Sequence, residues 1–123
     1  MFNEIIVNNF SNPAHAAEIE NASAVIELGN DVCGDRIKVQ LLIEDGCIKR
    51  AVYAAWGCAT SLATGNIFCS RIQDLPYACA INFSASEVEQ MLGELDPSQQ
   101  HCLEMLHLLF DKLRKISPLS SGR

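Results

Sequence analysis

Residues 36–56 read RIKVQLLIEDGCIKRAVYAAW, two strand-like runs on either side of a tight turn. Ile37, Val39, Leu41 and Ile43 alternate with Arg36, Lys38, Gln40 and Glu44. A period of two is that of a strand with one face buried and the other in water. Leu42 is the exception on the polar side. Asp45-Gly46 is a strong two-residue hairpin signal, because both central positions of the favoured turn need positive φ. Ile48, Val52, Ala54 and Trp56 then form the apolar side of a return strand, with Arg50 breaking the pattern. With Asp45-Gly46 as the loop, facing residues have numbers that sum to 91. Ile43 faces Ile48, Val39 faces Val52, Ile37 faces Ala54, Asp35 faces Trp56 and Cys33 faces Cys58, with a bulge able to shift the register. Both cysteines therefore emerge at the open end of the hairpin.

On either side the pattern changes. Residues 2–10 suit a short helix ended by Asn12-Pro13, and residues 14–22 are ambiguous. Ala24 to Leu28 reads as a strand, and Gly29-Asn30-Asp31 as a turn. After the hairpin, Ala59, Leu62, Ala63 and Ile67 share a helical arc, with Phe68 and Ile72 off it, so a helix over 59–73 is predicted. Ser84 with Glu87 makes a capping box for a helix that Gly93 ends. Cys102, Leu106, Leu109, Phe110, Leu113 and Ile116 follow the 3.6-residue spacing of a long last helix over 99–116. Strands first and helices afterwards predict an α+β fold, a small three-stranded antiparallel sheet packed against helices with a long C-terminal helix. One domain is expected over 1–116, with 117–123 a flexible tail.

Composition narrows the function. The chain has 123 residues, is about half apolar and carries a net charge of −6. Nucleic-acid-binding surfaces are normally basic. Lys49-Arg50 and Lys112 to Lys115 read as solvated faces or a protein-docking patch. No apolar run approaches the roughly 20 residues that span a bilayer. Met1-Phe2-Asn3-Glu4 is unlike a signal peptide, so a cytoplasmic protein is expected. Six cysteines in a reducing compartment point to metal, catalysis or buried thiols.

Cys58 opens a helix, where unpaired N–H groups and the helix dipole favour a thiolate. Gly57 and Gly34 give their cysteines conformational freedom. Asp35 adds a carboxylate near the same edge, or caps a turn. Cys102 lies in the first turn of the last helix beside His101, which is off the apolar stripe. Two or three thiolates, an imidazole and a carboxylate suit tetrahedral zinc or an iron–sulfur cluster. Spacing alone does not bring residue 102 to the hairpin. Cys102 also fits the core stripe, so packing and chemistry stand equal there. For Cys47, Cys69 and Cys79 packing as small hydrophobes is the better reading. His15 and His107 carry no specific signal.

Taken together, Asn12-Pro13, Gly29-Asn30, Cys33-Gly34-Asp35, Asp45-Gly46, Gly57-Cys58-Ala59-Thr60-Ser61-Leu62-Ala63-Thr64 and His101-Cys102 resemble the IscU/NifU-type iron–sulfur cluster assembly scaffolds. The resemblance implies a SufE/NifU-like fold. It carries thiol ligands onto Cys33, Cys58 and Cys102, and accessory positions onto Asp35 and His101. It implies a scaffold without turnover of its own. Such a protein accepts persulfide sulfur from a cysteine desulfurase, with Cys102 as first acceptor. It binds iron, builds a transient [2Fe–2S] cluster and passes it to apo-proteins. Zinc is the other metal found at such sites, and a zinc-binding persulfide relay that builds no cluster is the alternative. Many IscU proteins meet an Hsp70/J-type chaperone pair through Leu-Pro-Pro-Val-Lys. Leu95-Asp96-Pro97-Ser98-Gln99 stands there in this chain, which leaves that partner doubtful. Monomer and dimer are both open.

Overall fold

The computed structural model describes residues 3–30, 35–57 and 59–116, without the side chains of Asn30, Asp35 and Ser98. Residues 117–123, predicted as a tail, lie outside them.

Strands β2 (Asp35–Glu44) and β3 (Cys47–Trp56) form the predicted hairpin. Asp45 and Gly46 take φ of 54° and 76° at its tip, the double positive-φ requirement of a type I′ turn. Next to the turn the pairs are Glu44–Cys47 and Ile43–Ile48, as the count predicts. A bulge between Leu42 and Ile43 then sets Leu42 opposite Arg50, leaving Lys49 as the extra residue. Beyond it Val39 faces Tyr53, Ile37 faces Ala55 and Arg36 faces Trp56. The predicted pairs of Val39 with Val52, Ile37 with Ala54 and Asp35 with Trp56 are therefore each wrong by one residue.

A one-residue slip turns a strand over. Ala51 and Tyr53 join Ile48 in the core, while Trp56, predicted on the apolar side, is 52% exposed. Arg50, which broke the alternation, was the trace of the bulge in the sequence.

Strand β1 (Ala24–Asn30) pairs antiparallel with β2 and completes the sheet in the order β1-β2-β3. Gly29 and Asn30, read as a turn, continue this strand opposite Arg36 and Asp35. Residues 14–22 hold no helix. His15 O accepts from Tyr53 N at 2.9 Å, and Ala17 N donates to Tyr53 O at 3.2 Å, so this segment runs along the outer edge of β3. The side chain of Gln40 then holds Ile19 through both its backbone N–H and C=O. Val52, opposite Gln40, is buried.

The helices are α1 (Glu4–Ser11), α2 (Ala59–Ile72), α3 (Tyr77–Ala80), α4 (Ala85–Leu92) and α5 (Gln100–Lys115). A 3₁₀ turn, Pro97–Gln99, precedes α5. The capping box of Ser84 with Glu87 opens α4 as predicted. Asn3 caps α1 through its Oδ1 and donates from Nδ2 to Leu92 O and Glu94 O, which ties the first helix to the end of α4. Helix α2 lies over β2 and β3, and α5 over β1 and α2, giving a two-layer α+β domain. Phe68 and Phe110 meet edge to face in the core, with centroids 4.9 Å apart. The hydroxyl of Tyr77 donates to Leu113 O at 2.6 Å and fixes the end of α5. Among the described residues no helix is long and apolar enough to cross a membrane.

Gly65 lets α2 approach β3. A Cβ there would stand 2.6 Å from the ring of Tyr53. Alanine in a helix gains about 1 kcal/mol over glycine, whereas overpacking a core costs about 1–3 kcal/mol. Gly65→Ala should therefore destabilise by about 1 kcal/mol net, read as a lower urea midpoint. A rise in the midpoint would contradict this contact.

Burial pushes the pKa of Tyr53 up to about 12, and the Cys69 thiol adds to the effect. The folded state keeps the phenol proton where the unfolded chain has lost it. Stability is thus complete below pH 10 and falls as pH rises toward 12. In urea titrations across this range, Tyr53→Phe should make the fall shallower. An unchanged slope would remove Tyr53 as its cause.

Candidate functional site

The site is built at one end of the sheet. The pairs Asn30–Asp35 and Arg36–Trp56 put the start of β2 and the end of β3 side by side there. Gly57 follows with φ of 130°, a backbone region that other residues rarely enter. The chain then passes through Cys58 into α2. Cys33 and Cys58 lie outside the described residues, as does the side chain of Asp35.

The first turn of α5 reaches the same corner. Thr60 Oγ1 lies 3.5 Å from His101 Nε2, and Ser61 Oγ donates to Met105 Sδ at 3.8 Å. His101-Cys102, which sequence spacing left unplaced, is thus carried to the start of the helix that Cys58 precedes. Within the pair, His101 Nε2 is 3.8 Å from Cys102 Sγ.

Cys102 is fully buried, and His101 is half-buried. Of the two readings of Cys102, packing holds: it lies in the core, at the corner where α5 meets the start of α2. Among the described residues, no three His, Cys, Asp or Glu side chains gather as a metal set. The set implied by the resemblance needs Cys33 and Cys58.

The predicted face of α2 is corrected by the structure. Leu62 is only half-buried, while Phe68 and Ile72, placed off the stripe, are fully buried. The buried face instead begins with Thr60, Ser61 and Thr64. A count of apolar residues passes over hydroxyls, so the burial of this stretch was missed although its residues stand in the quoted 57–64 motif. Thr64 Oγ1 donates to Thr60 O at 2.7 Å.

The remaining cysteines divide. Cys69 is fully buried, and burial pushes its thiol pKa up. Cys47 is half-buried. Cys79, predicted to pack, is exposed on the short helix α3. His15 has a structural role: its N–H donates to Asn66 Oδ1 and its Nδ1 lies 2.9 Å from Ala51 O. Asn66 in turn donates to Asn9 Oδ1, joining α1, the edge segment and α2. A groove of about 590 Å³ flanks the site, with Phe10, Pro13, Trp56 and Leu62 in its wall.

The family model described as "NifU-like N terminal domain" matches residues 1–110. The chain belongs to this family, whose members include the IscU/NifU-type scaffolds that the cysteine segments resemble. The iron–sulfur cluster assembly scaffold protein IscU 1 of Archaeoglobus fulgidus is 28% identical over 115 residues, covering 94% of this chain and 73% of that protein. The zinc-dependent sulfurtransferase SufU of Bacillus subtilis is 23% identical over 94 residues, covering 76% and 63%. Among solved structures, a SufU scaffold from Fervidobacterium islandicum matches with a TM-score of 0.62 and 26% identity, over 93% of this chain and 82% of that one. The predicted α+β class and the three-stranded antiparallel sheet hold.

Proposed function

We propose that this chain is a scaffold for iron–sulfur cluster assembly. It takes sulfur from a cysteine desulfurase, binds iron, builds a labile [2Fe–2S] cluster and releases it to apo-proteins. The observation that carries the reading is the meeting of α2 and α5 at their first turns. It brings His101-Cys102 to the sheet end where Asp35 starts β2 and Cys58 precedes α2. Family membership and the likeness to IscU support it.

The donor set fits the cargo. Cys33, Cys58 and Cys102 offer soft thiolates, His101 an imidazole and Asp35 a hard carboxylate, a poorer partner for a sulfide-rich cluster. That mixture suits a cluster that must leave. Sulfur arrives when a Cys102 thiolate attacks the outer sulfur of the desulfurase persulfide. The donor S–S bond breaks, the donor cysteine leaves as a thiolate, and Cys102 carries the persulfide. Reduction to sulfide takes two further electrons from an external donor. Because Cys102 is fully buried, the first turn of α5 must open for this step.

Incubation with a desulfurase, cysteine and ferrous iron without air should give a visible [2Fe–2S] spectrum. A Cys33→Ser/Cys58→Ser double variant should lose it. No cluster in the parent protein, or an undiminished one in the double variant, would sink the proposal.

The likeness to SufU supports a second reading, a zinc-bound relay that accepts persulfide without building a cluster. The same thiols and imidazole suit tetrahedral zinc. Tight zinc with strong stimulation of a desulfurase, and no cluster formed, would favour it.

A further inference from the structure

Helix α2 changes character along its buried face. Its far half buries Ile67, Phe68, Cys69 and Ile72, while its half at the candidate site buries Thr60, Ser61 and Thr64. Valine has nearly the shape of threonine and would bury more apolar surface. A hydroxyl in such a place lowers stability unless a partner compensates it. Thr60 is 3% exposed, and its Oγ1 is directed at Nε2 of His101. The same Nε2 faces Cys102 Sγ, so one nitrogen stands between a hydroxyl and a thiol.

The geometry points to Thr60 as a positioning residue. Its hydroxyl limits the rotation of the His101 ring, so that Nε2 stays at the site when Cys102 turns its sulfur toward iron or persulfide. The separation of 3.5 Å is long for a hydrogen bond. Contacts of this kind often tighten only when the site is loaded. Thr60 touches no cargo in this scheme and acts through His101. The inference rests on the scaffold reading for its consequence, though not for the contact itself.

Thr60→Val removes the hydroxyl and keeps the shape, and Thr60→Ser keeps the hydroxyl. Nitrogen NMR of the His101 ring in cargo-free protein is the first readout. The Val variant should shift the Nε2 signal, and the Ser variant should restore it. The second readout is the lifetime and visible circular dichroism of the reconstituted cluster. Groups that orient a metal ligand typically change affinity or activity by 10–100-fold. A lifetime about tenfold shorter is expected for Val, with recovery in Ser and similar melting temperatures in both. A Val variant with unchanged ring signals and cluster lifetime overturns the inference. Should Val not fold, Thr60→Ala supplies the hydroxyl-free protein. If the parent protein builds no cluster, the scaffold reading falls, while the ring spectrum still decides the role of Thr60.

Discussion

In the native protein, Cys102 should react with a small alkylating reagent at least about 100-fold more slowly than Cys79. Cys79 is exposed on α3, whereas Cys102 is fully buried at the start of α5. A buried thiol reacts only through local opening, and its rate follows the population of the open form. Opening that requires about 3 kcal/mol leaves fewer than about one molecule in a hundred reactive at any moment. Timed alkylation followed by peptide mass mapping gives the two rates separately. Cys69, also fully buried, should lag with Cys102. Equal rates at Cys102 and Cys79 would show that the first turn of α5 does not stay closed in solution. Under the proposed function, a slow rate means that sulfur transfer to Cys102 would require a partner that favours the open form.

The second large effect concerns the core. Phe110→Ala should lower the free energy of unfolding by about 3–5 kcal/mol. Phe110 is fully buried between the rings of Phe68 at 4.9 Å and Phe83 at 5.5 Å, both edge to face. Its loss leaves a cavity where α5 meets α2, and both neighbours lose a partner. Natural domains are stable by only about 5–15 kcal/mol, so the variant should be close to unfolding at 37 °C. Urea denaturation followed by circular dichroism measures it. A loss below about 1 kcal/mol would mean that the site collapses around the smaller side chain.

The hairpin was legible because alternation and Asp45-Gly46 are local signals, as was the capping box at Ser84. Its register was legible only next to the turn. The bulge adds only Lys49, and a single extra residue leaves no mark beyond the misplaced Arg50. Helix α3 spans four residues, too few for any periodicity to appear. The buried face of α2 was misread because hydroxyl side chains look polar in a sequence, yet pack in the core when paired.

The candidate site divides in the same way. Cys33, Asp35 and Cys58 were placed by counting along a hairpin and by resemblance. The bulge alters that count by one, and the two thiols lie outside the described residues. The approach of His101-Cys102 to α2 is a tertiary contact between helices that start 41 residues apart, as His101 and Thr60 do. No local signal encodes it. Thr60 entered the sequence reading only as part of the 57–64 motif, because the ring it faces belongs to another helix.

The central claim is that this chain holds iron and sulfide together. Iron, zinc and acid-labile sulfide should be assayed in the same sample, after anaerobic reconstitution with a desulfurase, cysteine and ferrous iron. Iron and sulfide should be present in equal amounts and both be lost from the Cys33→Ser/Cys58→Ser variant. Bound zinc with no acid-labile sulfide would contradict it.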